Sequence, residues 1–220
     1  VDVFHIVTRG GTRPAYRRSS SLKKAEWLNS EVQGLIDPPL SGGWHELIKG
    51  PFRHPVPIGP VFSKRFLPPY WLKNVFFAAS FPITSVYEVA FYFLRERAGR
   101  DISSLWQART LFSVAFYDPD LVDLSGRADI SQVMDRNDHT KSHQIVRDSP
   151  ETNSFSYPSC RDPNHGPCIV TYEISCLGKT PKTEQLLTYV FDSVTNSVEI
   201  SSQITHLKGL PLQVTWDSVS

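Results

Sequence analysis

Apolar residues along this chain gather in short runs broken by proline, glycine and polar clusters, and the period of each run names its element. Residues 2–8 form an apolar run that predicts a first strand. The stretch SSSLKKAEWLNSEVQGLI, residues 19–36, sets Leu28, Val32 and Leu35 at helical spacing behind a serine-rich start, and Pro38 and Pro39 end that helix. Residues 37–72 are dense in proline, glycine and aromatic residues. That mixture predicts an ordered but irregular insertion that wraps the core and walls a site.

NVFFAAS, residues 74–80, predicts a short buried strand. Pro82 follows at a place that suits the first turn of a helix, where its missing N–H costs nothing. Ile83, Tyr87, Ala90, Phe91 and Leu94 then share one apolar face, and Thr84, Ser85, Glu88 and Tyr92 occupy the remaining side. Further strands are expected at residues 110–118, 168–174, 185–192, 197–204 and 212–216, with a helical region between Ile130 and Arg147. Strands concentrate late and do not alternate regularly with helices. The order therefore predicts an α+β fold with a mixed sheet, in one domain spanning residues 1–220. No internal repeat is visible.

Composition narrows the function classes. The 23 basic and 22 acidic residues leave a formal charge of +1, which gives no net field to gather nucleic acid or anionic lipid. The local run of Arg13, Arg17, Arg18, Lys23 and Lys24 reads as a solvated face. No apolar run is long enough to cross a bilayer, so no membrane partner is expected. Cys160, Cys168 and Cys176 cannot all pair with one another. They lack the short knuckle spacing of a zinc site, so they read as small buried apolar residues in a reducing cytoplasm. The single methionine, Met134, is internal, and an upstream segment is expected to have been removed.

No phosphate-cradling glycine loop, nucleophile elbow or zinc-protease helix is present. His139 and His143 sit one helical turn apart with no third ligand nearby, which reads as a helix face, and no metal is expected. His5, between Phe4 and Ile6, must find a partner or face a cavity. Arg65 needs an anion if it is buried, either a ligand or an acidic side chain such as Glu88. Residues 157–161, YPSCR, carry the turn formers Pro158 and Ser159.

Three separated pieces together resemble the RES domain family, named for an arginine, a glutamate and a serine: KRFLPP with Arg65, FAASFPITSVYE from Phe77 to Glu88, and SYPSCR with Ser159 and Arg161. The interval from Phe77 to Glu88 is the family's interval from tyrosine to glutamate. Departures are equally specific. Ser63 and Lys64 replace the glycines before the arginine, the interval from the arginine to the aromatic residue is about two residues longer, Phe77 replaces the tyrosine, and His5 stands where many members have an arginine.

The resemblance implies a fold like that of diphtheria-toxin-type ADP-ribosyltransferases and NAD as a substrate, with no separate cofactor. It implies a bacterial toxin active in the cytoplasm, delivered in some cases within a larger protein and neutralised by an antitoxin or immunity protein. Such enzymes hydrolyse or phosphorolyse NAD, or transfer ADP-ribose to a protein acceptor. On that pattern Glu88 is the catalytic carboxylate beside the ribose, Arg65 grips the diphosphate, Phe77 stacks on nicotinamide and Ser159 bonds the ribose or positions the acceptor. His5 and Arg161 contact the remaining polar edges. A second reading, motivated by Phe77 and the altered surroundings of Arg65, is a non-catalytic module holding a nucleotide or a partner on the same scaffold.

Overall fold

Strands dominate the second half of the chain, where β-branched residues are more frequent than in the first. The computed structural model, which describes residues 1–8, 43–53, 64–97, 104–202 and 209–219, arranges nine of them in one mixed sheet. In chain order these are β1 (Asp2–Thr8), β2 (Phe76–Ala79), β3 (Ser104–Ala115), β4 (Val122–Asp123), β5 (Ser154–Pro158), β6 (Pro167–Thr171), β7 (Thr183–Asp192), β8 (Ser197–Ser202) and β9 (Leu212–Thr215). The spatial order is β4-β5-β6-β2-β1-β3-β7-β8-β9; β4 and β5 run parallel and every other neighbouring pair antiparallel. The helices among the described residues are α1 (Glu46–Arg53), α2 (Pro82–Arg95), α3 (Ile130–Val133), α4 (Thr140–Asp148) and α5 (Trp216–Val219). The molecule is thus α+β with a large mixed sheet and few helices.

Helix α2 holds the centre. Pro82 starts it and Phe81 precedes it with extended backbone. Its apolar residues Val86, Ala90, Phe91, Phe93 and Leu94 pack with Ile6, Leu111, Leu187, Tyr189, Val198, Ile200 and Val214 in one core. Thr84 and Ser85 are also buried, so the polar side of α2 faces protein rather than solvent. A second core joins Phe66, Leu124, Val133, Ile145, Phe155, Tyr157 and Val170. A third lies under α1, where Ile48, Leu47 and Phe52 meet Val3, Phe76, Phe112 and Ile169.

Several expectations are revised. The insertion at 37–72 contains helix α1 despite Pro51, because Leu47, Ile48 and Phe52 fall on one side and bury against the sheet. The helical region at 130–147 divides into α3 and α4. Asp135 Oδ1 accepts the backbone N–H groups of Asn137 and Asp138, both at 2.8 Å, and this side-chain turn competes with the helix. Strand β3 starts at Ser104 rather than Thr110 and ends at Ala115, and the segment read as the turn YPSCR begins as strand β5. Strand β6 stops at Thr171, before a short 3₁₀ turn at Ile174–Cys176. The helix expected at 19–36, and the basic run from Arg13 to Lys24, lie outside the described residues.

The sheet is weakest at its middle. Strands β1 and β2 share the single register pair Phe4–Ala79, whereas β1 and β3 pair over seven positions from Asp2–Ala115 to Thr8–Arg109. Beside that short ladder the imidazole of His5 reaches across and bonds the Phe77 carbonyl oxygen through Nδ1, a side chain standing in for a backbone rung. The place where the two central strands part is the place where a cleft opens.

Candidate functional site

The cleft, of about 370 Å³, is walled by β1, β2, β3 and α2. His5, Arg65, Phe77 and Glu88 all line it, together with Lys64, Tyr92, Arg95, Arg109, Tyr157 and Cys168. Four residues drawn from three distant sequence segments therefore meet in one concavity. Its size falls within the range of small-molecule sites.

Ser159 stands directly behind Glu88. Its hydroxyl donates to Glu88 Oε1 at 2.6 Å, across 71 positions of sequence. The same oxygen accepts the backbone N–H groups of Arg161 and Asp162, each at 3.0 Å. Those two donors occupy the acceptor side of the hydroxyl, so its proton has one direction left, toward the carboxylate. Ser159 is fully buried. It is a positioning residue that fixes the Glu88 carboxylate rather than a wall of the cleft.

The loop that carries Ser159 is itself clamped to α2. Asp162 Oδ2 accepts the hydroxyl of Thr84 at 2.6 Å and the backbone N–H of Gly166 at 3.3 Å, and both Thr84 and Asp162 are buried. Ser85 donates to the Phe4 carbonyl oxygen at 2.7 Å and ties the same helix start to β1. The polar residues Thr84, Ser85 and Glu88 thus form one seam joining α2 to the loop and the sheet.

Cys168, on β6, reaches the same carboxylate oxygen, with Sγ 3.8 Å from Glu88 Oε1. Burial, and then the Glu88 charge, push its thiol well above the ordinary value, so it remains a neutral S–H that donates weakly. Burial, with Glu88 next in weight, likewise pushes the Tyr92 phenol up to about 12. Ser159 and Cys168 thus give Glu88 Oε1 two neutral donors.

His5 has its pKa lowered to about 4, by burial first. It is neutral near pH 7, and because a carbonyl oxygen only accepts, the proton shared with Phe77 belongs to Nδ1. Nε2 is then an acceptor. The ring itself packs against Phe76 and Phe112, at 4.5 and 5.5 Å between centroids, on the side of the sheet covered by α1, and meets the cleft where β1 and β2 part.

Arg65 occupies the cleft but has committed its outer nitrogens. Nη1 donates to the Val133 carbonyl oxygen, and Nη2 donates to the Asp135 carbonyl oxygen and to Cys160 Sγ, both at 2.8 Å. Its backbone carbonyl accepts from Ser142 of α4. In place of an ion pair with Glu88, one of the two alternatives the sequence left open, Arg65 takes backbone acceptors, because the turn between α3 and α4 offers carbonyls beneath the guanidinium. Arg161 is placed behind the site: its guanidinium lies 3.5 Å from the Phe91 ring centroid and donates to the Arg136 carbonyl oxygen at 2.7 Å. It is not among the cleft-lining residues.

Sequence reasoning missed Tyr92, Arg95, Arg109, Thr84, Asp162 and Cys168 as parts of this site. Tyr92 and Arg95 were legible as the positions four and seven after Glu88 on one helix, which lie on one stripe. Arg109 lies at the end of the missed half of β3 and gave no signal of its own. Elsewhere, His139 and His143 approach with ring centroids 6.0 Å apart, and His143 Nε2 bonds the Lys64 carbonyl oxygen at 2.8 Å. Cys160, Cys168 and Cys176 are free and buried. Among the described residues no group of three or more His, Cys, Asp or Glu residues is arranged to hold a metal, and no helix is long and apolar enough to cross a membrane. Comparison with models of known protein families finds no match to this chain, and no curated protein matches it.

Proposed function

We propose that this chain is an NAD-consuming enzyme of the RES type, cleaving the bond between nicotinamide and ribose by hydrolysis or phosphorolysis on an ADP-ribosyltransferase-like scaffold. The observation that carries this reading is the 2.6 Å hydrogen bond from Ser159 to Glu88, which joins the family's serine and glutamate at the wall of a cleft also lined by Arg65 and Phe77.

The chemistry follows from charge. As the glycosidic C–N bond breaks, its electron pair leaves with the nicotinamide nitrogen, the ring becomes neutral, and positive charge grows on the ribose. A fixed carboxylate beside that sugar favours the transition state over the ground state, and one held by a buried hydroxyl needs little reorganisation to do so. An oxygen of water or phosphate then bonds the anomeric carbon and releases its proton to solvent. Phe77, half-buried in the cleft wall, supplies a face for the nicotinamide ring. On this reading the protein is a toxin acting on cytoplasmic NAD and held in check by a protein partner.

Transfer of ADP-ribose to a protein uses the same bond cleavage and differs in the acceptor. Purified protein incubated with NAD is expected to release nicotinamide, and chromatography identifies the other product as ADP-ribose, a phosphorylated ADP-ribose or added mass on a protein. Intact NAD after prolonged incubation with folded protein would overturn the enzymatic reading in favour of a binding module.

A further inference from the structure

The cleft has a second end with different chemistry. Arg95 lies seven residues after Glu88 on α2, and at about 1.5 Å of rise per residue the stripe Glu88, Tyr92, Arg95 runs roughly 10 Å along one wall. Three cations gather toward its far end. Lys64 Nζ is 5.8 Å from the Phe77 ring centroid and 5.7 Å from that of Tyr92, and Arg95 Cζ is 4.7 Å from the Tyr92 centroid. Arg109, on β3, is braced by the rings of Phe93 and Tyr189 at 5.4 and 5.2 Å.

Among the described residues these cations are poorly supplied with acceptors. Among the described residues neither Lys64 Nζ nor the Arg95 guanidinium has a hydrogen-bond or ion-pair partner. Arg109 Nη2 donates to Gln107 Oε1 at 2.9 Å, but its Nε is buried with no partner. The carboxylate at this end, Glu96, also lines the cleft, where its charge acts on Lys64 and Arg109, and it pairs with Arg97 at 3.4 Å. Burial, and then the Arg95 charge, lower the Lys64 pKa, which records the cost of holding like charges together. Aromatic faces offset part of that cost, and a polyanion would offset far more. Arg65, by contrast, has spent its outer nitrogens on the chain itself.

We propose that this end of the cleft is a diphosphate subsite: Lys64, Arg95 and Arg109 hold the diphosphate of an ADP-containing ligand, and Arg65 forms a fixed floor rather than the clamp. The subsite rests on the reading of the cleft as an NAD site and specifies how that substrate is held. Lys64 and Arg95 belong to none of the three cores, so their replacement leaves the core untouched.

The test is calorimetric titration of the full chain with ADP, repeated on Lys64→Gln and Arg95→Gln, whose thermal unfolding is recorded alongside. Wild type is expected to bind ADP, and each variant to bind about tenfold more weakly, the scale of one lost charge-assisted hydrogen bond, with the unfolding midpoint unchanged. Wild-type protein that does not bind ADP, or variants that bind it as wild type does, would overturn the subsite. Binding that weakens as expected in a protein that leaves NAD intact would keep the subsite and remove the catalytic reading. NAD turnover with an unaltered KM in both variants would do the reverse.

Discussion

Glu88→Gln is expected to reduce nicotinamide release by about a thousandfold while leaving the fold intact, on the scale seen when a pre-aligned electrostatic group is removed from an active site. The replacement keeps the size of the side chain and an oxygen able to accept from Ser159. It removes the negative charge that the growing positive charge on the ribose would meet. Because Ser159 still has an acceptor, the loop from Ser159 to Gly166 should stay in place, and circular dichroism and the unfolding midpoint should match wild type. Release from Glu88→Gln at the wild-type rate would remove Glu88 from the chemistry. A loss in kcat without a rise in KM is the expected form, since the carboxylate acts on the transition state.

Gly166→Ala is expected to damage the same reaction without altering any residue that lines the cleft. A Cβ at Gly166 would stand 2.1 Å from Thr84 Oγ1 and 2.8 Å from Asp162 Oδ2, inside the hydrogen bond that clamps the Ser159 loop to α2. Both partners are buried and neither can swing into solvent. Overpacking of this kind costs about 1–3 kcal/mol, and it should appear as a lower unfolding midpoint. The shift in Thr84 and Asp162 should also move the backbone donors that aim the Ser159 hydroxyl, so kcat should fall with it. Gly126→Ala is the control, because no atom lies within 4 Å of a Cβ there. Equal midpoints for the two variants would show that the clamp yields without cost.

Much of this architecture was legible in residue order. The apolar run of residues 2–8 and the Pro82 helix start became β1 and α2, and the late strands are present within a few residues of their expected positions. What escaped were elements whose stability comes from tertiary packing. Helix α1 carries a proline and sits among glycines, and it exists because Leu47, Ile48 and Phe52 bury against β-strand residues far away in sequence. The division of the helical region at Asp135 came from a side chain bonding its own backbone, a local competition that hydrophobic periodicity does not register.

The site divides in the same way. Glu88 stood out because a charge beside an apolar helical stripe invites a reason, and Ser159 because it joins a turn motif to the family pattern. The use of Arg65 was not legible. Its partners are carbonyl oxygens at Val133 and Asp135, and backbone acceptors carry no residue type for a sequence to display. The cationic end was hidden for another reason: Lys64, Arg95 and Arg109 come from a loop, a helix end and a strand, and only the fold brings them to one cleft.

A crystal structure of Glu88→Gln with NAD tests the central claim most directly. NAD is expected in the cleft between β1, β2 and α2, its nicotinamide ribose within hydrogen-bonding distance of residue 88 and its diphosphate among Lys64, Arg95 and Arg109. NAD bound at another surface, or lying in the cleft with its ribose away from residue 88, would contradict it.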